Sequence, residues 1–410
     1  MRVKLGFSKV RNFIVGILVF AFVFGGGYYL GVQGYKAEVT KALNVTLSRE
    51  VPPDKNVDFS LFWQVWDTLS AKYFDKGKLV PEKMVYGAIT GMVSALGDPY
   101  TMFLPPTQNK VADEDLSGSF EGVGIEIGYR AARLAVVSPL PDSPAEKAGV
   151  KPRDYIVHIK DEKKNIDIGT DGINLPDAVA AIRGSAGTTV TLTLVREGET
   201  TPIVVDLVRE KLNVPSVVLD YVGDSKDVAH LKVSKFGAET GGEWDKAVNE
   251  ILGKKEIRGL VVDLRNNPGG YLQASVDLAS DFVPMNTTIV VQENGDGSKS
   301  EFKSTRLGKL TKYKVAVLIN GGSASASEIL AGALRDQKHF KLIGERTFGK
   351  GTIQEPLEIR GGSGLHITTA KWLTPNGTWI HDKGLDPDVK IEAKDTDTTD
   401  MQLQAAIDQL

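Results

Sequence analysis

The sequence predicts an α/β multidomain protein, built in order from an N-terminal transmembrane helix, a small helical domain, a β-rich domain and an α/β core. Three observations carry that expectation. An uncharged, largely apolar run extends from Asn12 to Tyr35. Short β-rich runs separated by turn residues fill the stretch from Gly118 to about Glu210, and after about Leu212 apolar strands alternate with amphipathic helices. The bulk composition agrees: 410 residues, 41% hydrophobic and 25% charged, leave room for two or three cores.

Taken in order, Arg2, Lys4, Lys9 and Arg11 precede the apolar run. At ~1.5 Å per residue, roughly 20 helical residues cross the hydrocarbon core. Basic residues on the near side hold the N-terminus in the cytoplasm and place everything after Lys36 outside it, with Tyr28 and Tyr29 at the outer interface. The alternative is a cleaved signal peptide, which the length of the run and the lack of an Ala-x-Ala-like site argue against. Residues 36–57, with Val51-Pro52-Pro53-Asp54, read as a tether. From Asp58, the spacings of Leu61, Phe62, Val65, Trp66 and Leu69, then of Val85, Ile89, Met92, Val93 and Leu96, each match one helical face, with core packing as the expected use. Gly97-Asp98-Pro99 stops the second helix. The resulting layout is 1–11 tail, 12–35 anchor, 36–57 linker, 58–112 helical domain, 113–210 β-rich domain, 211–394 α/β core and 395–410 C-terminal helix.

Composition also excludes. A net charge of -3 gives no basic excess, so nucleic acid is not an expected partner. The absence of cysteine removes disulfides, thiolate metal sites and a cysteine nucleophile.

The β-rich domain opens with Glu121-Gly122-Val123-Gly124-Ile125-Glu126-Ile127, continues with Ser143-Pro144-Ala145-Glu146-Lys147-Ala148-Gly149, and later shows Gly187-Thr188-Thr189-Val190. In this order the three landmarks resemble a PDZ domain. The resemblance implies that Gly122, Val123, Gly124 and Ile125 offer backbone N–H groups to a peptide carboxylate, with a helix over 175–183 as the other groove wall. Arg153-Asp154 stands where many PDZ domains have Gly-Asp, so a differently shaped turn is expected there.

The chemistry concentrates in Asn320-Gly321-Gly322-Ser323-Ala324-Ser325-Ala326-Ser327-Glu328, directly after the apolar strand Val315–Ile319. A strand, a small-residue turn and a helix start present a hydroxyl where free N–H groups and the helix dipole favour developing negative charge. The same residues also read as a capping box, Ser325 with Glu328. A serine nucleophile needs a base. His158 and His230 lie in strand-like runs and His381 in a loop, without a triad setting, while His339 and His366 stay open. A lysine of lowered pKa is the other choice, and Lys350, between Gly349 and Gly351 in an apolar neighbourhood, is the candidate. If the chain beyond it is extended, Gln354 shares its face and can orient the amine. Local physics does not choose among Ser323, Ser325 and Ser327.

From about residue 58 to 410 the chain resembles the carboxyl-terminal processing proteases, tail-specific serine peptidases. The markers are Gly97-Asp98-Pro99-Tyr100-Thr101, Asp263-Leu264-Arg265-Asn266-Asn267-Pro268-Gly269-Gly270, the Ser-Ala-Ser-Ala-Ser-Glu run, Gly349-Lys350-Gly351, Thr374-Pro375-Asn376-Gly377 and Gly384-Leu385-Asp386-Pro387-Asp388. The resemblance implies a crotonase- or ClpP-like core, Ser325 as nucleophile, Lys350 as base and Gln354 as its partner. It further implies an oxyanion hole from the Ala326 N–H with that of Gly270 or Gly269. Glu328, Thr347 and Asp336 are expected to support the site's shape. Protein C-terminal tails are the implied substrates, no cofactor is needed, and the PDZ domain can act as a gate. A homo-oligomer or a regulatory protein partner is also open. The rival readings are a membrane-tethered PDZ scaffold with an inactive core, and a hydrolase or lyase of small acyl compounds.

Overall fold

The structure is a computed structural model that describes residues 7–32, 35–39, 45–49, 58–131, 133–173, 175–393 and 399–410. It divides into two compact units, residues 1–84 and 85–410. The basic residues Arg2 and Lys4, the Val51-Pro52-Pro53-Asp54 segment and the expected border at 394–395 lie outside the described residues.

In the first unit, α1 (Phe7–Val32) carries the apolar run, and its span Arg11–Tyr29 is long and apolar enough to cross a membrane, with a mean hydropathy of 1.7. The helix ends before Tyr35. The segment expected to be a plain linker contains an antiparallel hairpin, β1 (Tyr35–Val39) with β2 (Val45–Arg49). Helix α2 (Ser60–Lys72) forms as its spacing dictates, but among the described residues none of its side chains is buried, and Leu61 is 67% exposed. Its aromatic rings pack on one another instead, Phe62 on Trp63 at 5.1 Å and Trp63 on Trp66 at 6.1 Å.

Helix α3 (Pro81–Ser94) is followed by Gly97 in the left-handed region, which ends the helical run as expected. Within the second unit this helix buries only Val93, while Met92 and Leu96 are exposed. After it come β3 (Met102–Leu104) and α4 (Pro106–Ser117). The border expected at 112–113 falls inside α4, which continues until Gly118 caps it with φ 81°.

The β-rich domain runs through β4 (Ser119–Gly122), β5 (Ile125–Arg130), β6 (Arg133–Pro139), α5 (Pro144–Lys147), β7 (Tyr155–Asp161), β8 (Ile166–Gly169), α6 (Leu175–Ile182), β9 (Thr189–Val195), β10 (Ile203–Val208) and β11 (Glu210–Asn213). Its antiparallel sheet has the order β10-β9-β7-β6-β5, so β5 is an edge strand. Strand β11 pairs with β4, and the border expected at 210–211 therefore falls inside a strand. Strand β9 shows why the sheet folds here. Val190, Leu192 and Leu194 point into the core, while the intervening threonines face outward.

The turn at Arg153 takes a backbone conformation that favours glycine, with an arginine in its place. Arg153 has φ +73°. Buried Asp154 holds the turn, accepting the Lys151 N–H at 2.8 Å and the Arg196 Nε at 2.7 Å. A Cβ in this region costs about 1–2 kcal/mol, and glycine's freedom in the unfolded chain returns part of that. Arg153→Gly is therefore expected to stabilise the protein by about 0.5–1 kcal/mol, read as a raised urea midpoint; an unchanged or lowered midpoint contradicts the account.

The α/β core contains β12 (Val217–Val222), β13 (Val228–Val233), α7 (Thr240–Gly253), β14 (Gly259–Asp263), α8 (Leu272–Ser280), β15 (Thr288–Asn294), β16 (Lys299–Lys303), β17 (Lys314–Ile319), α9 (Ala326–Lys338), β18 (Lys341–Gly344), β19 (Thr352–Ile359), β20 (Ser363–Leu373), β21 (Val389–Lys390) and α10 (Met401–Asp408). One sheet has the order β12-β13-β14-β17-β18-β21, parallel from β13 onward. Its central strands are apolar on both faces because both are covered. Leu260, Val262, Val315, Val317 and Ile319 pack with α7, α8 and α9, and the alternate residues Val261, Ala316 and Leu318 pack with α10. A second, antiparallel sheet, β16-β15-β20-β19, takes β3 as a further partner of β20. The C-terminal ends of β14 and β17 and the start of β19 converge on the cleft described next.

Candidate active site

After β17 the chain turns through Asn320–Ser325 into α9. The three serines of this turn have different fates. Ser323 is fully buried, donating its hydroxyl to the Leu264 carbonyl at 2.8 Å and accepting the Asn320 N–H at 3.0 Å. Ser327 is also fully buried, donating to the carbonyls of Asn267 and Ala324. Ser325 alone of the three lines a cleft of about 620 Å³. Its φ of +55° is unusual for a residue with a Cβ and sets it at a sharp elbow ahead of the helix.

The facing wall is the loop after β14. Asn266 and Asn320 exchange hydrogen bonds, the Asn266 N–H to Asn320 Oδ1 at 2.8 Å and Asn320 Nδ2 to Asn266 Oδ1 at 2.9 Å, which ties this loop to the serine turn. At the root of the loop Asp263 accepts from His230 Nε2 at 3.0 Å and from Arg265, and Arg265 also pairs with Asp400 at the start of α10. Burial alone would raise the Asp263 pKa, but the bonds from His230 and Arg265 outweigh it and hold it at about 2. Gly269 and Gly270 have φ +104° and +135°. A Cβ on Gly269 would lie 2.8 Å from the Ser325 Cβ, and one on Gly270 would lie 2.1 Å from the Phe236 carbonyl oxygen, so only glycine permits this approach. The Gly269 N–H is consumed by Asn267 Oδ1 at 2.8 Å. Among the described residues, the N–H groups of Gly270 and Ala326 have no partner, and both residues line the cleft beside Ser325.

Lys350 lines the same cleft, in the turn between β18 and β19. Burial pushes its amine below the ordinary lysine value, with Asp98 and Glu328 pulling the other way. Glu328, buried on the first turn of α9, binds the two loops together. It accepts from the Ser325 N–H at 2.8 Å, the Gly349 N–H at 2.7 Å, the Lys350 N–H at 2.9 Å and the Thr347 hydroxyl at 2.6 Å. Burial raises its own pKa, and those four bonds oppose the rise. Asp336 sits apart, accepting the Asn376 N–H at 3.2 Å.

Gln354 is in the cleft, but its amide nitrogen donates to Thr352 Oγ1 at 2.9 Å and Thr368 Oγ1 at 3.1 Å. The expected bond to Lys350 is not among those of the described residues. The pairing of β19 with β20 is irregular between Ile353 and Gln354, which disturbs the simple alternation the sequence argument assumed. Of the histidines, His366 alone lines this cleft; burial lowers its pKa. His158, His230 and His339 lie outside the cleft lining, and His381 stacks on Trp379 behind Gly351. Sequence reasoning assigned no part to Asp98, Tyr100 or Thr368, which surround Lys350 and Gln354; the Gly97–Thr101 motif was the available signal.

A second groove, of about 200 Å³, lies in the β-rich domain. Gly122, Val123, Gly124 and Ile125 form one side with Ile127, and Val179 and Ile182 of α6 form the other. Gly124 has φ +74°, and a Cβ there would lie 2.2 Å from the Ser143 Cβ. Arg183 closes one end, stacked 4.8 Å over the Phe120 ring and paired with Asp115 at 2.9 Å.

Comparison with known proteins accords with this arrangement. Residues 227–391 match the model of peptidase family S41, residues 136–196 a PDZ domain, and residues 21–106 the "activating protease CtpB N-terminal domain". The chain is 35% identical over 378 residues to the carboxy-terminal processing protease CtpB of Bacillus subtilis (strain 168), covering 91% of this chain and 76% of that one. It is 38% identical over 332 residues to CtpA of the same organism, covering 81% and 68%. Among solved structures, the photosystem II D1 C-terminal processing protease is 31% identical with a TM-score of 0.51, over 81% of this chain and 92% of that one. With a matching core, a PDZ domain and relatives aligned along most of their length, the chain belongs to peptidase family S41 and is a serine-type peptidase with a PDZ domain.

Proposed function

We propose that this protein binds the C-terminal tails of proteins in its PDZ groove and cleaves them with Ser325 and Lys350. The observation that carries the reading is the convergence in one cleft of Ser325, the half-buried Lys350 and the N–H groups of Gly270 and Ala326, unpartnered among the described residues. Lys350, whose burial favours the neutral amine, takes the Ser325 hydroxyl proton in its deprotonated form as Oγ attacks the scissile carbonyl. The Gly270 and Ala326 N–H groups receive the oxyanion; as the intermediate collapses, the scissile C–N bond breaks and Lys350 passes its proton to the departing amine. Lys350 then takes a proton from water as it attacks the acyl carbonyl, and returns it to Ser325 Oγ as the acid product leaves. Gly269 positions the loop rather than donating. Gln354 orients Lys350 once its amide oxygen turns toward the amine.

Tail capture draws support from the edge position of β5 beside α6, the geometry for adding a peptide strand. Helix α1 fits a membrane anchor, with the peptidase outside the cytoplasm, and the exposed aromatic stripe of α2 fits a contact with a second copy or a regulatory protein. Borders at 58, 113, 211 and 395 remain the working domain scheme, the second and third shifted to the ends of α4 and β11. The core, a parallel sheet beside an antiparallel one, accords with a crotonase- or ClpP-like plan.

An unstructured reporter with a free apolar C-terminus tests tail capture against the scaffold reading. The expected result is that amidating the reporter's C-terminus lowers kcat/KM about tenfold or more, because the loop N–H groups lose their carboxylate. Equal cleavage of free and amidated reporters would remove the tail-capture step, and binding of tails with no cleavage of any would favour the scaffold.

A further inference from the structure

The Gly97–Thr101 motif has no part in the mechanism so far, yet the fold places it against the base. Asp98 accepts the Tyr100 N–H at 3.0 Å and the Thr101 hydroxyl at 2.7 Å. Thr101, itself buried, accepts the Thr368 N–H at 3.0 Å, and Gln354 donates to the hydroxyl of that same Thr368 at 3.1 Å. Pairing of β3 with β20 fixes the loop to the sheet just beyond this point. The outcome is that the Tyr100 ring centroid lies 5.0 Å from Lys350 Nζ. Behind Tyr100, His381 meets the ring edge-on at 6.0 Å and stacks on Trp379 at 5.2 Å. Both backing residues also hold the turn after Lys350, since the Gly351 N–H donates to His381 Nδ1 and Trp379 Nε1 donates to the Gly351 carbonyl.

We propose that Tyr100 is a positioning residue for Lys350, its ring face supplying the surface against which the ammonium forms as Ser325 gives up its proton. An aromatic face within about 6 Å attracts a cation and is indifferent to a neutral amine. It therefore helps little while Lys350 waits as the free base and most when the proton has arrived, which is the differential stabilisation catalysis requires. The charged and titratable groups that face Lys350 are Asp98 from the loop, Glu328 from α9 and His366 from β20, and Asp382 faces Tyr100. The carboxylates act on the amine from fixed distances, whereas the ring can be altered electronically without changing its shape. This inference rests on Lys350 being the base.

The test is the pH dependence of kcat/KM for the full-length protein on the reporter, with Tyr100→Phe and with phenylalanines bearing one, two and three ring fluorines at position 100. Fluorine drains the ring face of negative charge at nearly constant shape. The acidic limb, where Lys350 loses its proton, is expected to stay in place in Tyr100→Phe. It should then move stepwise to lower pH with each fluorine, by roughly half a unit or more in total. A limb that stays still across the series, or moves upward, overturns the proposal while Lys350→Ala remains inactive. Full activity in Lys350→Ala would instead overturn the reading of the base, and the two failures are thereby distinguished.

Discussion

Lys350→Ala is expected to lower kcat by at least about 10⁴-fold, the scale on which losing the base of a serine hydrolase falls. Ser325 would keep its elbow and its oxyanion donors, but no group would be left to take its proton. His366 shares the cleft, yet among the described residues no carboxylate bonds its ring to orient it, so His366→Ala should cost far less than Lys350→Ala. The pH profile of the wild type follows from the same burial. Activity rises as Lys350 sheds its proton, and because burial lowers its pKa, the rise falls below the ordinary 10.5. The sign for stability is also fixed. Between the folded and unfolded pKa values the unfolded chain binds more protons at this lysine, so its contribution to stability improves with rising pH. The stability of Lys350→Ala relative to the wild type should therefore shift in the variant's favour as pH falls through that window, while its activity is lost at every pH.

Glu328→Ala should cost less activity than Lys350→Ala, by a different route that also costs stability. One carboxylate holds the Ser325, Gly349 and Lys350 N–H groups and the Thr347 hydroxyl, and so sets the Ser325 turn against the Lys350 turn. Alanine leaves these donors without that acceptor at a buried site, each at a cost of ~1–3 kcal/mol. The turns would relax apart, and an error of about 1 Å in placing reacting groups costs roughly 10²-fold. The expected outcome is a loss of about 3–5 kcal/mol in unfolding free energy and of roughly 10²–10³-fold in kcat. Glu328→Gln should fall between, since it keeps one acceptor oxygen and turns an amide against the remaining N–H groups. Urea unfolding alongside kinetics separates the two effects. Wild-type kcat in Glu328→Ala would mean that the turns hold themselves.

How much of this was legible in the sequence depends on where the deciding interaction lies. Val228–Val233 and Val315–Ile319 announce themselves because strands covered on both faces are apolar throughout. Strands β19 and β20 did not, because β19 is largely exposed and carries Glu355, Pro356 and Glu358, a pattern close to that of a loop. The choice of Ser325 was invisible locally: it depends on Ser323 and Ser327 spending their hydroxyls on Leu264 and Asn267, 59 and 60 residues away. The same holds for the proposed oxyanion donors. Nothing in Asn267-Pro268-Gly269-Gly270 says that the Asn267 side chain takes the first glycine's N–H and leaves the second free. The apolar spacing of α2 correctly gave a helix but not a core, since periodicity fixes a face and not its partner. Arg153 shows the converse, a turn whose shape is dictated by Asp154 and Arg196 against the preference of its own residue.

Whether Ser325 is the nucleophile is read from cleavage of the unstructured, free-tailed reporter by wild type and Ser325→Ala, with Ser323→Ala and Ser327→Ala alongside. The account predicts that Ser325→Ala binds the reporter and leaves it intact. The two flanking variants should still cleave it, more slowly to the extent that losing a buried hydroxyl disturbs the turn. Cleavage by Ser325→Ala at a rate near that of the wild type would contradict the account.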